Sequence, residues 1–558
     1  MGFLIQTFAL CCLSLIAIVA GHQEKQPTVT TKYGKLRGKT SKVLTTDRQV
    51  DVFMGIPFAK PPVGELRFAA PEAPVPWGSD RDATKEGPVC LQSNFFMESI
   101  KAILKADVAF PPLSEDCLYL NVFTPQDRQS HSKLPVMVFI HGGALSVGGA
   151  NMFYGAALSA LENVVVVVIQ YRLGILGFMS DGTKEAPGNY GFFDQVAALY
   201  WVQENIKDFG GDPHSVTIFG ESAGGVSVSA LVLSPLAKGL FHRAIAESGT
   251  AVIPGLMISS QEEITASVNF VAERSGCDPA SLIACLKQKT EQEIIAISSG
   301  MGLLTVPGSV DGVFLPKPAE EILANKEAND VPLLIGINER EFGFLLPLAL
   351  NVTAILRGMD KATVEALIRA LPFLEIPESD IASTMEEYFG DTNDPEEIRN
   401  RFLDLGGDNM FVMPALKTAK YHRDSGYPVY FYEFRHRLSM YKDSKPAFVT
   451  ADHGDELFCI VGGMFLSENI MFKATATKEE EVLCKTMMKY WANFARTGDP
   501  NGKGLVNWPR YTKNEEYMVL DLNMKSSEKY KEDKFVFWNK GFPDKSQKKI
   551  PEEDRIEL

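Results

Sequence analysis

An α/β architecture, with a mostly parallel central sheet flanked by helices, is the fold class this chain predicts. Three observations carry that reading. Short apolar, β-branched runs alternate with long helical stretches, as repeated strand-helix units do. Those runs are apolar at successive positions and not at alternate ones, which fits strands covered on both faces. One of them, residues 216–219, halts at Gly220, and a helix-compatible run of small residues begins after Ser222.

Taken in order, residues 1–21 are an apolar run ending in small residues, followed by polar His22-Gln23-Glu24-Lys25. They read as a secretory signal peptide cleaved near Gly21, although no Lys or Arg precedes the apolar part. Position 2 is Gly, but position 6 is not Ser or Thr, which argues against myristoylation. The remainder, 22–558, reads as a single domain. Residues 28–38 alternate and turn like a surface hairpin. Residues 55–64 form a proline-punctuated connection. Strand-like runs follow at 135–140, 164–170, 216–219, 244–247, 331–337 and 429–434. Residues 255–300 and 345–425 have helical patterning and are expected as insertions over the catalytic edge of the sheet. From Lys525 onward the chain is charged and polar apart from residues 535–538, and is expected to pack only locally.

The formal charge of −15 and the lack of a basic stripe argue against a nucleic-acid partner. Of the 8 cysteines, Cys11 and Cys12 leave with the signal. Among the other six, close spacing favours Cys277 with Cys285, and Cys90 is placed with Cys117 around an intervening loop; Cys459 and Cys484 are left unassigned. No histidine stands at metal-ligand spacing from these cysteines, so a metal site is not expected. Asn351-Val352-Thr353 is a glycosylation sequon.

The chemistry centres on Gly220-Glu221-Ser222-Ala223-Gly224. Between a strand and a helix, Gly-x-Ser-x-Gly is the pattern of a nucleophile elbow, which exposes the serine hydroxyl on a strained turn. A serine needs a base to take its proton, and histidine is the usual one. Among 8 histidines, His453 sits in a polar, Gly-containing turn, 451–457, shortly after a late strand. The base needs a carboxylate to orient it, and in this chain order the acid follows a strand between serine and histidine. Glu339 and Glu341 both do so, and local pattern barely separates them; Glu341, before Phe342-Gly343, is better placed for a buried turn. His141-Gly142-Gly143-Ala144, directly after a strand, suits an oxyanion loop in which the amides of Gly142 and Gly143 approach substrate. Ala223, following the nucleophile, adds a third amide. Phe95, Phe96 and Phe110 are candidates for lining an apolar gorge, with ordinary core packing as the alternative.

With those residues in view, the chain resembles the type-B carboxylesterases, the family that includes the cholinesterases. Residues 209–224 resemble the family's serine signature, and Glu115-Asp116-Cys117-Leu118-Tyr119-Leu120-Asn121-Val122 resembles its second signature. The likeness is strongest to liver-type carboxylesterases and medium-chain fatty acyl-CoA hydrolases. It covers essentially everything after the signal and implies an α/β-hydrolase fold with helical insertions over the active site. It further implies Ser222, Glu341 and His453 as a triad, Gly142, Gly143 and Ala223 as the oxyanion hole, and disulfides Cys90–Cys117 and Cys277–Cys285. The implied activity is hydrolysis of uncharged, lipophilic carboxylic esters through an acyl-enzyme, with thioesters and amides as further substrates and no cofactor. Arg555-Ile556-Glu557-Leu558 resembles the endoplasmic-reticulum retrieval tetrapeptides, with Arg where His is usual. Residence in that lumen and a retrieval receptor are therefore expected, with secretion as the alternative. A non-catalytic adhesion relative is disfavoured, since all three triad positions are filled.

Overall fold

Among the described residues eleven strands form the central sheet, because long apolar runs can satisfy their backbone groups in a dry interior only by pairing side by side. The structure is a computed structural model. It describes residues 26–104, 106, 108–129, 131–302, 306–468, 470–473 and 475–540, without the side chains of 95, 96, 104, 372 and 540. The expected signal segment 1–21 and the tail tetrapeptide 555–558 lie outside the described residues.

In chain order the strands are β1 (Lys39–Lys42), β2 (Gln49–Pro57), β3 (Tyr119–Pro125), β4 (Leu134–Ile140), β5 (Val165–Ile169) and β6 (Gly211–Glu221). Then come β7 (Arg243–Glu247), β8 (Leu333–Asn338), β9 (Val429–Phe434), β10 (Glu516–Leu520) and β11 (Lys525–Glu528). Their spatial order is β11-β10-β9-β8-β7-β6-β4-β5-β3-β2-β1. The central block from β10 to β5 is parallel throughout, with Val138 opposite Ile218 and Ala246 opposite Ile335. Antiparallel strands finish both edges. This is the α/β-hydrolase fold expected from the sequence.

Three interior strands, β5, β8 and β9, are buried along their whole length. Helices cover both faces. Those used below are α1 (Asn94–Leu104), α2 (Ala223–Leu233), α3 (Pro395–Gly407), α4 (Met413–Asp424) and α5 (Lys478–Thr497). α5 begins with a capping box in which Thr477 and Glu480 satisfy each other's backbone amides. α3 runs into α4 through a single π-helical turn, Asp408–Val412. The insertions at 255–300 and 345–425 are helical as read, with one small pairing of Met257–Ile258 to Gly308–Ser309. The 28–38 hairpin is present, Thr28–Thr31 against Gly34–Arg37.

One expectation is corrected. The C-terminal stretch does not pack only locally. Residues 525–528 form the edge strand β11, and the Trp538 indole donates to the Tyr388 hydroxyl at 2.9 Å, inside the second insertion. Aromatic residues near the chain end find a large partner far away in sequence. The cysteines left unassigned also pair: besides Cys90–Cys117 and Cys277–Cys285, the structure bonds Cys459 to Cys484, tying the segment after His453 to α5.

Candidate active site

The parallel strands deliver their carboxyl ends to one edge of the sheet, where a crevice forms in such folds. β6 ends at Glu221, and Ser222 turns the chain into α2 with φ 59° and ψ −125°. That left-handed, sparsely populated backbone is the strain an elbow stores, and the fixed ends of β6 and α2 hold it there. The Ser222 amide donates to the Glu247 carbonyl at 2.9 Å, which pins the turn to the neighbouring strand β7. A Cβ on Gly224 would stand 2.1 Å from the Ile140 carbonyl oxygen, so only glycine lets α2 come this close to β4.

His453 and Glu341 arrive from two separate loops. His453 Nδ1 donates to Glu341 Oε2 at 2.7 Å. The other carboxylate oxygen, Oε1, accepts from the Ser248 hydroxyl and the Asn338 amide, each at 2.6 Å. Glu341 is therefore buried with three donors around its carboxylate. Glu339 is half-buried and faces a separate surface groove with Arg340 and Arg435. The structure thus brings Glu341 to His453 and leaves Glu339 apart. His453 packs on Phe411 of the π turn, with ring centroids 4.6 Å apart. Its Nε2 has no aligned hydrogen bond among the described residues and lines the same cavity as Ser222.

The oxyanion loop follows β4. Gly142 passes so close to the elbow that a Cβ there would meet the Glu221 carbonyl at 2.6 Å and Ser222 Cβ at 3.0 Å. The amides of Gly142 and Gly143 have no acceptor among the described residues. That of Ala223 opens α2, where helical amides lack a partner one turn back and the helix dipole is positive. His141 is buried and stacked on Tyr171 at 4.4 Å, and the Tyr171 hydroxyl donates to the His141 carbonyl at 2.8 Å. Burial pulls the His141 imidazole down to about 4, so it is a neutral spacer in the loop.

A cavity of about 370 Å³ joins Ser222, His453, Gly142 and Gly143. Its walls are apolar, with Met97 and Ile100 from α1, Leu346, Phe373 and Phe411 from the second insertion, and Phe458. Phe110 is not in the wall; it packs beside the core under Lys101. The side chains of Phe95 and Phe96 lie outside the described residues; Met97 and Ile100 of the same helix line the cavity.

The charge balance around His453 is unusual. Burial pushes the Glu221 carboxyl up to about 7, helped by Glu341 and Asp455 and opposed by His453. Burial alone would lower the His453 imidazole, but Glu221, 3.1 Å from Nε2, and Glu341 together raise it to about 9. Glu221 was absent from the sequence reading as a participant. So were Ser248, Asn338 and Gln92, whose amide clasps the Gly148 backbone in both directions at 2.7 and 2.8 Å. A Gly-Glu-Ser order is visible in the sequence and Asn338 lies three residues before Glu341, but Ser248 and Gln92 act across long separations that no local pattern records. Asn351 is exposed in a turn at φ 60°, directly after Leu350 of the cavity wall.

Comparisons with known proteins show the family to which the chain belongs. The carboxylesterase family model matches residues 25–538. The chain is 47% identical over 545 residues to carboxylesterase 5A of Canis lupus familiaris, covering 97% of this chain and 94% of that protein. It is 48% identical over 533 residues to the medium-chain fatty acyl-CoA hydrolase precursor of Anas platyrhynchos, covering 94% of each. It is 46% identical over 559 residues to the cocaine esterase of Homo sapiens, covering 99% and 98%.

Proposed function

The chain belongs to the carboxylesterase family and is an ester hydrolase, and we propose that Ser222, His453 and Glu341 form its catalytic triad. The observation that carries the assignment is the 2.7 Å contact from His453 Nδ1 to Glu341, with the imidazole bordering the same cavity as Ser222. Ser222 attacks the ester carbonyl while His453 takes its proton, and Glu341 holds the ring and stabilises the imidazolium. The oxyanion rests on the amides of Gly142, Gly143 and Ala223, each such donor contributing on the order of 10²–10³ in turnover. His453 then protonates the leaving alcohol, and water activated by the same ring releases the acid. The apolar walls favour lipophilic, uncharged esters, and a thioester or amide carbonyl fits the same steps.

The chain is a secretory protein in this reading, with signal 1–21, an N-glycan on exposed Asn351, and Arg555–Leu558 read by a retrieval receptor in the endoplasmic reticulum. Three disulfides suit an oxidising compartment. Among the described residues no helix is long and apolar enough to cross a membrane. Deleting the last four residues should move the protein into the medium; efficient secretion of the intact chain would reject retrieval. The central test is labelling with a fluorophosphonate. Ser222 should carry the label and Ser222→Ala should lose ester turnover, whereas a label on another serine with Ser222→Ala active would reject the triad.

A further inference from the structure

Lys445 is a buried lysine, only 6% exposed, beside the triad. Its ammonium is 2.7 Å from Asp455 Oδ1 and 3.0 Å from Asp452 Oδ2, and 3.8 Å from the centre of the Tyr441 ring. It borders the cavity, but two carboxylates and an aromatic face occupy its ammonium, so it acts through its neighbours. Those neighbours flank the base: Asp452 precedes His453, and Asp455 follows two residues on.

Asp452 joins the two catalytic loops. Its carboxylate accepts the amides of Phe344 at 3.0 Å and Leu345 at 3.1 Å, on the loop that carries Glu341. Asp455 closes the His453 turn by accepting the Asp452 amide at 2.9 Å. Lys445 is itself held from behind. Arg437 donates to the carbonyls of Lys445 at 2.9 Å and Pro446 at 2.8 Å, fixing the segment that presents the ammonium.

The same ammonium matters electrostatically. Around His453 stand Glu221 from the end of β6, Glu341 from the loop after β8, and Asp452 and Asp455 from its own loop, with Glu456 behind Glu221 and Glu341, while Phe411 of the π turn is apolar. Glu247 at the end of β7 stands behind Glu221 and Glu456. Apart from His453 itself, the one cation paired with any of these acids among the described residues is Lys445.

We propose that Lys445 is a positioning residue of the reaction: it fixes the His453 loop against the Glu341 loop and offsets the carboxylates crowded around the imidazole. This rests on His453 being the base, which the phosphonate experiment tests separately at Ser222.

The test is the pH dependence of kcat/KM for a neutral p-nitrophenyl ester, with folded sites counted by phosphonate titration. In Lys445→Met the imidazole faces an uncompensated pair of acids, so its proton is held more tightly. The acidic limb should rise by about one pH unit, the scale expected of one charge several ångströms away at an intermediate dielectric. Displacement of the base should lower kcat by roughly 10- to 100-fold with KM little changed. Lys445→Arg should keep the limb in place, and Lys445→Met with Asp455→Asn should return it toward its original position. Asp455→Asn alone, which removes one negative charge and leaves the ammonium balanced by Asp452, should move the limb down, and this variant decides the matter if Lys445→Met does not fold. An unmoved limb in folded Lys445→Met or in Asp455→Asn overturns the proposal.

Discussion

At the scale of single residues, the choice between Glu339 and Glu341 yields a sharp experiment. Glu341→Gln should lower turnover by up to about 10⁴, as removal of a triad carboxylate's charge does, while Glu339→Gln should be mild. The measurement is kcat for both variants, and the reverse order would mean the acid is Glu339. A second expectation concerns Glu221. Its carboxylate, 3.1 Å from Nε2, favours the protonated imidazole, and the base works only when that proton is off. Glu221→Gln should therefore lower the imidazole pKa and extend the acidic limb of kcat/KM to lower pH; a limb moved upward would contradict this electrostatic account. Ser222, His453 and the glycines were legible because local chemistry marks them: an elbow pentapeptide, a polar turn, a Gly-Gly after a strand. Glu341 was only half legible. What separates it from Glu339 is the Ser248 hydroxyl and the Asn338 amide, and Ser248 comes from a strand end far away in sequence.

At the scale of elements, Gln92 shows how a loop outside the reacting groups shapes the oxyanion site. Its side chain is buried, also donates to the Cys90 carbonyl at 3.0 Å, and so couples the first disulfide loop to the glycine loop. Gln92→Leu removes that clasp and leaves the Gly148 amide and carbonyl unpaired. The expected result is a fall in kcat of at least about tenfold, with KM nearly unchanged and disulfides intact. A change confined to KM would place Gln92 in substrate binding instead. The strands were readable as β-branched runs, and the two insertions as helices. The tail's contact with Tyr388 and the third disulfide were not, because each depends on where distant elements meet. The π turn was equally invisible, since one extra residue in a helical pattern leaves no compositional trace, yet it sets Phe411 against His453.

For the molecule as a whole, the absence of tryptophan from the described cavity wall bears on substrate charge. Trp77, the one nearest in sequence to the first disulfide loop, stacks on Tyr33 and donates to the Lys35 carbonyl, outside the cavity. A quaternary ammonium held without that ring forgoes about 2 kcal/mol, roughly 30-fold in affinity. Comparing kcat/KM for butyrylcholine with an isosteric neutral ester should favour the neutral one clearly; preference for the charged ester would point toward cholinesterase-like selectivity.

The sheet order also has a consequence for biosynthesis. β4, β6 and β7, with the glycine loop and Ser222, are all made before residue 250, while His453 belongs to a segment that Cys459–Cys484 anchors to α5, much later in the chain. At ribosomal rates of about 5–20 residues per second, the nucleophile waits on the order of ten seconds or more for its base. A nascent chain therefore displays an assembled elbow that cannot yet hydrolyse the lipids or esters around it. Chains stalled before residue 450 should ignore a fluorophosphonate, and reactivity should switch on only once the distant half has docked.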